Sequence, residues 1–355
     1  EYPELMKFLD TNLRPQNKWS VSSEYPTAFT SENLHNIRVI TEGNKILSHA
    51  ALKPHIVKTP QAIYKVAAIG SVVTASEYRN QGLSKTILLD CLELAKKQDC
   101  DFAVLWTNLH DFYQKMGFAL AGFEISLMIN ETFSVQRDPQ FKILKTNMVD
   151  PQAIHKLLNQ HSVNTVRSLE EIKKFLNIPN SNIYTLWEPS GQIGAFAVEG
   201  KGADLSGYIH EWGGNVSRLV QLFKFIQDEQ KRNIVIICPR HSQNLIEQCR
   251  KHGASVNEGF LGMIKMINEQ SLFQKILRHA RQDLGIANLV LDKVENDYRI
   301  GTTEQYICTP NEGEIVQFIF GPRMFDDVKG LSKNTLETLS RIFPMPLWLW
   351  GWDSI

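Results

Sequence analysis

The segment from Val72 to Ser84 constrains this chain more than any other. It reads Val72-Val73-Thr74-Ala75-Ser76-Glu77-Tyr78-Arg79-Asn80-Gln81-Gly82-Leu83-Ser84, a β-branched strand that passes through a short loop into a helix. The run Tyr64 to Thr74 is apolar enough for a central strand covered on both faces. After the loop, Leu83, Ile87, Leu88, Cys91, Leu94 and Ala95 share one helical face. The helix is expected to end near Lys96-Lys97, where cations suit the C-terminal end of the dipole. A strand that enters a helix through a glycine gathers free backbone N–H groups at the positive end of that helix, which is a geometry suited to a pyrophosphate. Gly82 lets the backbone approach phosphate oxygens, and Arg79 adds charge.

The surrounding pattern predicts a mixed α+β sheet. A helix over Pro3 to Leu13 precedes a hairpin, Ile37 to Ile40 and Ile46 to Leu52, turning at Gly43-Asn44. Beyond the long helix come a buried strand at Phe102 to Trp106, a helical turn at Phe112 to Gly117 and a strand at Phe123 to Ile129. A polar stretch around Asn130 to Ile143 reads as a connector. The same order then recurs without sequence repetition. It comprises helices at Pro151 to Asn159 and Ser168 to Leu176 and strands at Asn182 to Trp187, Gln192 to Glu199 and Tyr208 to Trp212. A helix at Val216 to Lys231, a strand at Ile234 to Cys238, a helix at Gln243 to His252 and a strand at Gly259 to Met266 complete it. From about Ser271 a small α+β unit follows, with strands predicted at Ala287 to Lys293, Asp297 to Ile300, Tyr306 to Cys308 and Glu314 to Phe320. A helix at Leu331 to Ile342 then leads into an aromatic tail.

Composition narrows the function classes. A chain of 355 residues suits two or three domains rather than one core. Lys plus Arg and Asp plus Glu both number 38, so no global field favours nucleic acid or anionic lipid. No apolar run is long enough to span a bilayer, and Glu1-Tyr2-Pro3 does not look like a signal peptide. The five cysteines are scattered without a CxxC pair, which points to reduced thiols and neither zinc nor disulfides. The expectation is a cytoplasmic protein without metal, nucleic-acid or membrane partners.

The loop resembles the cofactor signature of the GNAT superfamily, Arg/Gln-x-x-Gly-x-Gly/Ala. Arg79-Asn80-Gln81-Gly82-Leu83-Ser84 matches at the Arg and the first Gly, with Ser84 in place of the final small residue. Asp111-Phe112-Tyr113-Gln114-Lys115-Met116-Gly117-Phe118 is similar to the second signature, a Tyr on a short helix followed by Gly-Phe. The resemblance implies acetyl-CoA as co-substrate, bound by Val72, Val73, Thr74 and residues 79–84, with the strand pairing through its backbone to the pantetheine arm. It implies an acetyltransferase acting on a primary amine, with Tyr113 as general acid to the departing thiolate. A phenol with a pKa near ~10 keeps its proton at neutral pH for that task. In the family the strands here near Val72 to Thr74 and Leu105 to Thr107 splay, and their N–H groups form an oxyanion hole.

The arrangement further resembles the Eis-like acetyltransferases: a GNAT domain over 1–132, a degenerate GNAT-like domain over 140–268 and a small sterol-carrier-like domain over 269–355. Homo-oligomers are common in that group. Region two lacks the signature at Trp212-Gly213-Gly214-Asn215 and is expected not to bind CoA. In Eis-like proteins the terminal carboxylate lies in the first domain's active site, which implies a catalytic role for Ile355. The tail residues Trp348, Trp350 and Trp352 would then pack on the way there, or else fill the third core or a subunit contact. The pairs His110-Asp111 and His210-Glu211 are read as solvated rather than acid–base groups, and Cys91 as core packing. Two other functions remain open: a regulatory acyl-CoA binder, which needs no general acid, and a transferase of longer acyl chains.

Overall fold

The computed structural model describes residues 2–355. The first unit runs α1 (Tyr2–Leu13), α2 (Val21–Glu24), β1 (Ile37–Glu42), β2 (Lys45–Lys58), β3 (Ile63–Thr74), α3 (Leu83–Lys97), β4 (Phe102–Leu105), α4 (His110–Gln114), β5 (Ala119–Ala121) and β6 (Glu124–Ile129). The second comprises β7 (Lys142–Lys145), α5 (Pro151–Leu158), β8 (Asn164–Thr165), α6 (Leu169–Phe175), β9 (Asn182–Trp187), β10 (Ile193–Lys201), β11 (Asp204–Gly214), α7 (Val216–Gln230), β12 (Ile234–Cys238), α8 (Gln243–Lys251), β13 (Ser255–Gly259) and β14 (Gly262–Met266). The last holds α9 (Glu269–Gln282), β15 (Leu289–Val294), β16 (Asp297–Thr302), β17 (Tyr306–Thr309), α10 (Glu312–Phe320) and α11 (Lys333–Ser340). The fold is mixed α+β, as expected.

Two large sheets exchange strands. The first has the order β1-β2-β3-β4-β14-β5, with β8 added to β2; the second runs β13-β6-β12-β11-β10-β9-β7. Thus β14 is inserted between β4 and β5 of the first sheet, and β6 between β12 and β13 of the second. The segment expected as one final strand, Gly259 to Met266, is two strands in different sheets. The crossing point is tight: a β-carbon on Gly122, whose φ is +72°, would lie 2.6 Å from Leu261 Cβ. Leu127 and Ile264 are fully buried, so each exchanged strand is sealed in its host core.

A further expectation is overturned. Residues 314–320 form not a strand but the main part of helix α10, capped where Asn311 Oδ1 accepts the Gly313 N–H at 2.9 Å. Ile315, Val316, Phe318, Ile319 and Phe320 are all buried, and an uninterrupted apolar run fits a helix buried all round as well as a central strand. Asn311 and the first-turn acids Glu312 and Glu314 decide the outcome.

Candidate active site

The site is built where β3 and β4 part company. They pair in parallel over Val66–Ala68 and Phe102–Val104, while β3 continues to Thr74. Among the described strands, the remainder of β3 pairs with β2 alone. At Ser71, with φ +50°, a bulge shifts the register from Ala51↔Gly70 to His49↔Val73. The buried His49 ring braces this bulge through Nδ1, 2.8 Å from the Ser71 carbonyl oxygen. Burial lowers its pKa to about 4, so the ring is neutral, and Nδ1 donates. One edge of β3 beyond Ala68 is therefore left with backbone groups free to meet an extended ligand.

That edge leads directly to an uncapped helix. Gly82 is the N-cap of α3, in the left-handed region at φ +81°, and no side chain caps the first turn. Arg79, Asn80 and Gln81 are exposed around it, with Arg79 Nε donating to the Thr74 carbonyl at 3.3 Å. Val72 and Val73 belong to hydrophobic clusters on opposite faces of the sheet. Ser84 does not crowd the loop; its hydroxyl lies 2.8 Å from Thr74 Oγ1, which lies 2.9 Å from Ser48 Oγ. Because Ser48 donates to the Val73 carbonyl at 3.1 Å, Thr74 donates to Ser48 and Ser84 to Thr74. This hydroxyl chain fastens the start of α3 to β3 and β2, and Leu83 at its first position is half-buried. The expected cofactor residues thus follow one strand, loop and helix start, with Val73 and Thr74 buried and residues 79–82 exposed.

Tyr113 lies on α4, in a cluster with Ile69, Leu105 and Met263. The rings of Phe112 and Phe118 meet it edge-on at 4.9 and 5.9 Å. Burial raises the phenol's pKa above its ordinary value, which keeps it protonated.

The tail reaches the same strand from the other face. Trp348, Trp350 and Trp352 are buried, with Trp352 stacked on Phe175 of α6 at 5.2 Å and Trp350 against Trp212 of β11 at 5.2 Å. The main chain of Ile355 then lies directly on Gly70, where any β-carbon would collide with it. Ile355 packs with Leu9, Val21, Phe29 and Val73 beneath α1 and α2. Tyr113 and Ile355 therefore flank neighbouring positions of β3 from different clusters, through Ile69 and Gly70.

Sequence reading missed what anchors this tail. Asp353 accepts from Arg167 Nε at 3.0 Å, Arg167 NH2 at 2.8 Å, Thr165 Oγ1 at 2.7 Å and the Trp350 N–H at 2.9 Å. Arg167 also holds Glu211 through two bonds of 3.1 and 3.0 Å, and His55 Nε2 lies 3.0 Å from the Asp353 carbonyl oxygen. Burial alone would push Asp353 up, but Arg167 and its hydrogen bonds hold it below the ordinary carboxylate value. Glu211 shares the same guanidinium less effectively, and burial lifts its pKa to about 7. His210 and Glu211 are thus not solvated, as expected, but fully buried. His110 is half-buried and Asp111 exposed at the start of α4, and Cys91 lies in the core. Among the described residues, no group of three His, Cys, Asp or Glu side chains is placed to hold a metal ion. No described helix is long and apolar enough to cross a membrane.

Residues 15–121 match the family model of the acetyltransferase (GNAT) domain. These residues form an acetyltransferase (GNAT) domain. The whole-chain fold is that of an Eis-like GNAT protein. It superposes on Eis1 from Mycobacterium abscessus with a TM-score of 0.59 at 9% identity, covering 91% of this chain and 92% of that one. A GCN5-related N-acetyltransferase from Anabaena variabilis gives a TM-score of 0.64 at 15% identity, covering 96% and 94%. A conserved protein from Enterococcus faecalis V583 gives 0.65 at 16%, covering 98% and 95%. No curated protein matches the sequence significantly.

Proposed function

We propose that the first unit is an N-acetyltransferase that moves the acetyl group of acetyl-CoA to a primary amine by direct attack. In this reading Val72, Val73 and Thr74 line the pantetheine arm, and residues 79–84 hold the pyrophosphate. The amine nitrogen adds to the thioester carbonyl carbon, and free N–H groups at the diverging strands receive the developing oxyanion. The C–S bond then breaks as Tyr113 gives its proton to the thiolate, and the amine's proton leaves to a water beside Ile355 on β3. The products are an amide and CoA, and the phenolate regains a proton from solvent.

The observation that carries this reading is the parting of β3 from β4 after Ala68 and Val104, which opens onto the uncapped start of α3. We further read the chain as three units, 1–132, 140–268 and 269–355, with the first two exchanging β6 and β14, and only the first binding CoA. The test is thiol release from acetyl-CoA against a panel of small amines, aminoglycosides and lysine peptides. Amine-dependent release is expected. Tight acetyl-CoA binding without any amine-stimulated release would replace the transferase reading with a regulatory acyl-CoA binder. Faster turnover with long acyl-CoAs than with acetyl-CoA would move the donor assignment to longer chains.

A further inference from the structure

Lys201, at the end of β10, is a fully buried cation that the reaction above leaves unused. Its Nζ donates to the carbonyl oxygens of Gly351 at 2.8 Å and Ser354 at 2.6 Å, and to Ser354 Oγ at 3.0 Å. All three ammonium protons are therefore committed to the tail. Among the described residues no carboxylate lies within ion-pair distance of it, although Asp204, Asp353 and Glu211 are near enough to favour its charge; its Nζ also lies 4.8 Å from the centre of the Tyr25 ring. A buried ammonium without a contacting carboxylate is costly, and an aliphatic side chain would fill the same space more cheaply if packing were the sole requirement. Burial lowers its pKa to about 8, which leaves it mostly charged at neutral pH.

The turn that carries Lys201 also grips the α1–α2 segment of the first unit. The Ala203 N–H donates to the buried Glu24 carboxylate at 3.0 Å, and Asp204 accepts from Arg14 at 3.0 Å. Glu24 is further held by Arg14 Nε at 2.8 Å and Asn17 at 3.0 Å. The β10–β11 turn of the second unit therefore fastens two things at once: the α1–α2 segment, and the peptide just before Ile355.

We propose that Lys201 is a positioning residue for acetyl transfer, contributed by the second unit to the first: by binding the carbonyls of Gly351 and Ser354 it fixes the tail over Gly70 of β3. The inference rests on the N-acetyltransferase reading, in which the amine's proton leaves beside Ile355. It gives the second unit a task in that reaction that requires no cofactor of its own.

The experiment uses the full chain with Lys201→Met and Lys201→Gln, the latter keeping two N–H donors. Amide hydrogen exchange and steady-state kinetics are measured on both and on wild type. In Lys201→Met the amides of residues 350–354 are expected to exchange at least about tenfold faster, as suits the loss of charge-assisted bonds, while loop 75–82 and α3 keep their protection. The kcat is expected to fall about tenfold with KM for acetyl-CoA changed less than about twofold, and Lys201→Gln to lie between. Unchanged protection of the tail in both variants would overturn the proposal, as would a loosened tail with an unchanged kcat. A wild type without amine-dependent thiol release would sink the transferase reading instead, and hydrogen exchange would still decide whether Lys201 holds the tail.

Discussion

Ile355 lies on Gly70 so closely that the glycine's missing side chain is what gives the tail its place on β3. The strand that lines the proposed cofactor channel on one edge thus receives the chain's last described residue on one face. Gly70→Ala forces these two apart. Because overpacking a filled site costs about 1–3 kcal/mol, denaturant unfolding is expected to show a loss of that size. The kcat should fall about tenfold, while the dissociation constant of acetyl-CoA, measured by calorimetry, stays within about twofold. Normal turnover in Gly70→Ala would separate the tail from the reaction.

Arg79 stands on the exposed loop before the uncapped turn of α3 and, among the described residues, its side chain bonds only to the nearby Thr74 carbonyl through Nε. Its remaining donors are free for a phosphate. Removing one charge-assisted contact costs roughly 1.5 kcal/mol, so Arg79→Ala is expected to raise KM for acetyl-CoA about tenfold. Since that contact is equally present in ground and transition states, kcat should change little. A collapse of kcat at constant KM would place Arg79 in the chemical step.

The shared guanidinium of Arg167 gives a pH signature. Burial raises Glu211 to about 7 in the folded protein, against an ordinary carboxylate value when unfolded. The folded state therefore binds the extra proton, and the resulting stability is complete below the unfolded pKa and lost as pH rises through about 7. Buried His49 and His161, lowered to about 4, act oppositely: their stability is present above the ordinary histidine value and fades as pH falls. The comparison must thus be between variants. Wild-type stability minus that of Glu211→Gln, from denaturant curves, is expected to decrease between pH 5 and pH 8, a window bracketing the shift to about 7. A flat difference would mean that Glu211 is ionised throughout.

Asp353 is tested through the same network. Removing its charge leaves Arg167 with Glu211 alone, and breaking a buried pair costs about 3–5 kcal/mol. Asp353→Asn, which keeps the size and some hydrogen bonding, should fall at the lower end. Its thermal midpoint should drop by several degrees, and the fluorescence of the buried Trp350 and Trp352 should shift to the red as the tail loosens. An unchanged midpoint and spectrum would show that the tail is held by its tryptophans without the ion network.

The parts of the fold legible in the sequence are those set by neighbouring residues. The passage from Val72 through Gly82 into α3 depends on β-branching, one glycine and helical spacing, all within a short window. Tyr113 on its short helix is equally local. The exchange of β6 and β14 was not legible, because Ile125-Leu127-Ile129 would seal either sheet, and only the contact of Gly122 with Leu261 shows where the chains cross. α10 misled for a related reason, its apolar run carrying no period. The tail's anchors, Arg167, Lys201 and Glu211, are polar residues more than a hundred positions from Asp353 or Ser354. Charge at such a distance reads as solvated surface until the strands that bury it are assembled.

The central claim is that Tyr113 protonates the departing thiolate. It is tested most directly by thiol release with a saturating amine, comparing wild type with Tyr113→Phe. The variant removes one oxygen from a buried ring that makes edge-on contacts with Phe112 and Phe118, so packing is retained. A fall in kcat of at least about tenfold, with KM for acetyl-CoA nearly unchanged, is the expected result, since one general acid contributes about a hundredfold or more. A Tyr113→Phe enzyme as fast as wild type would contradict the account and leave the thiolate to depart without this acid.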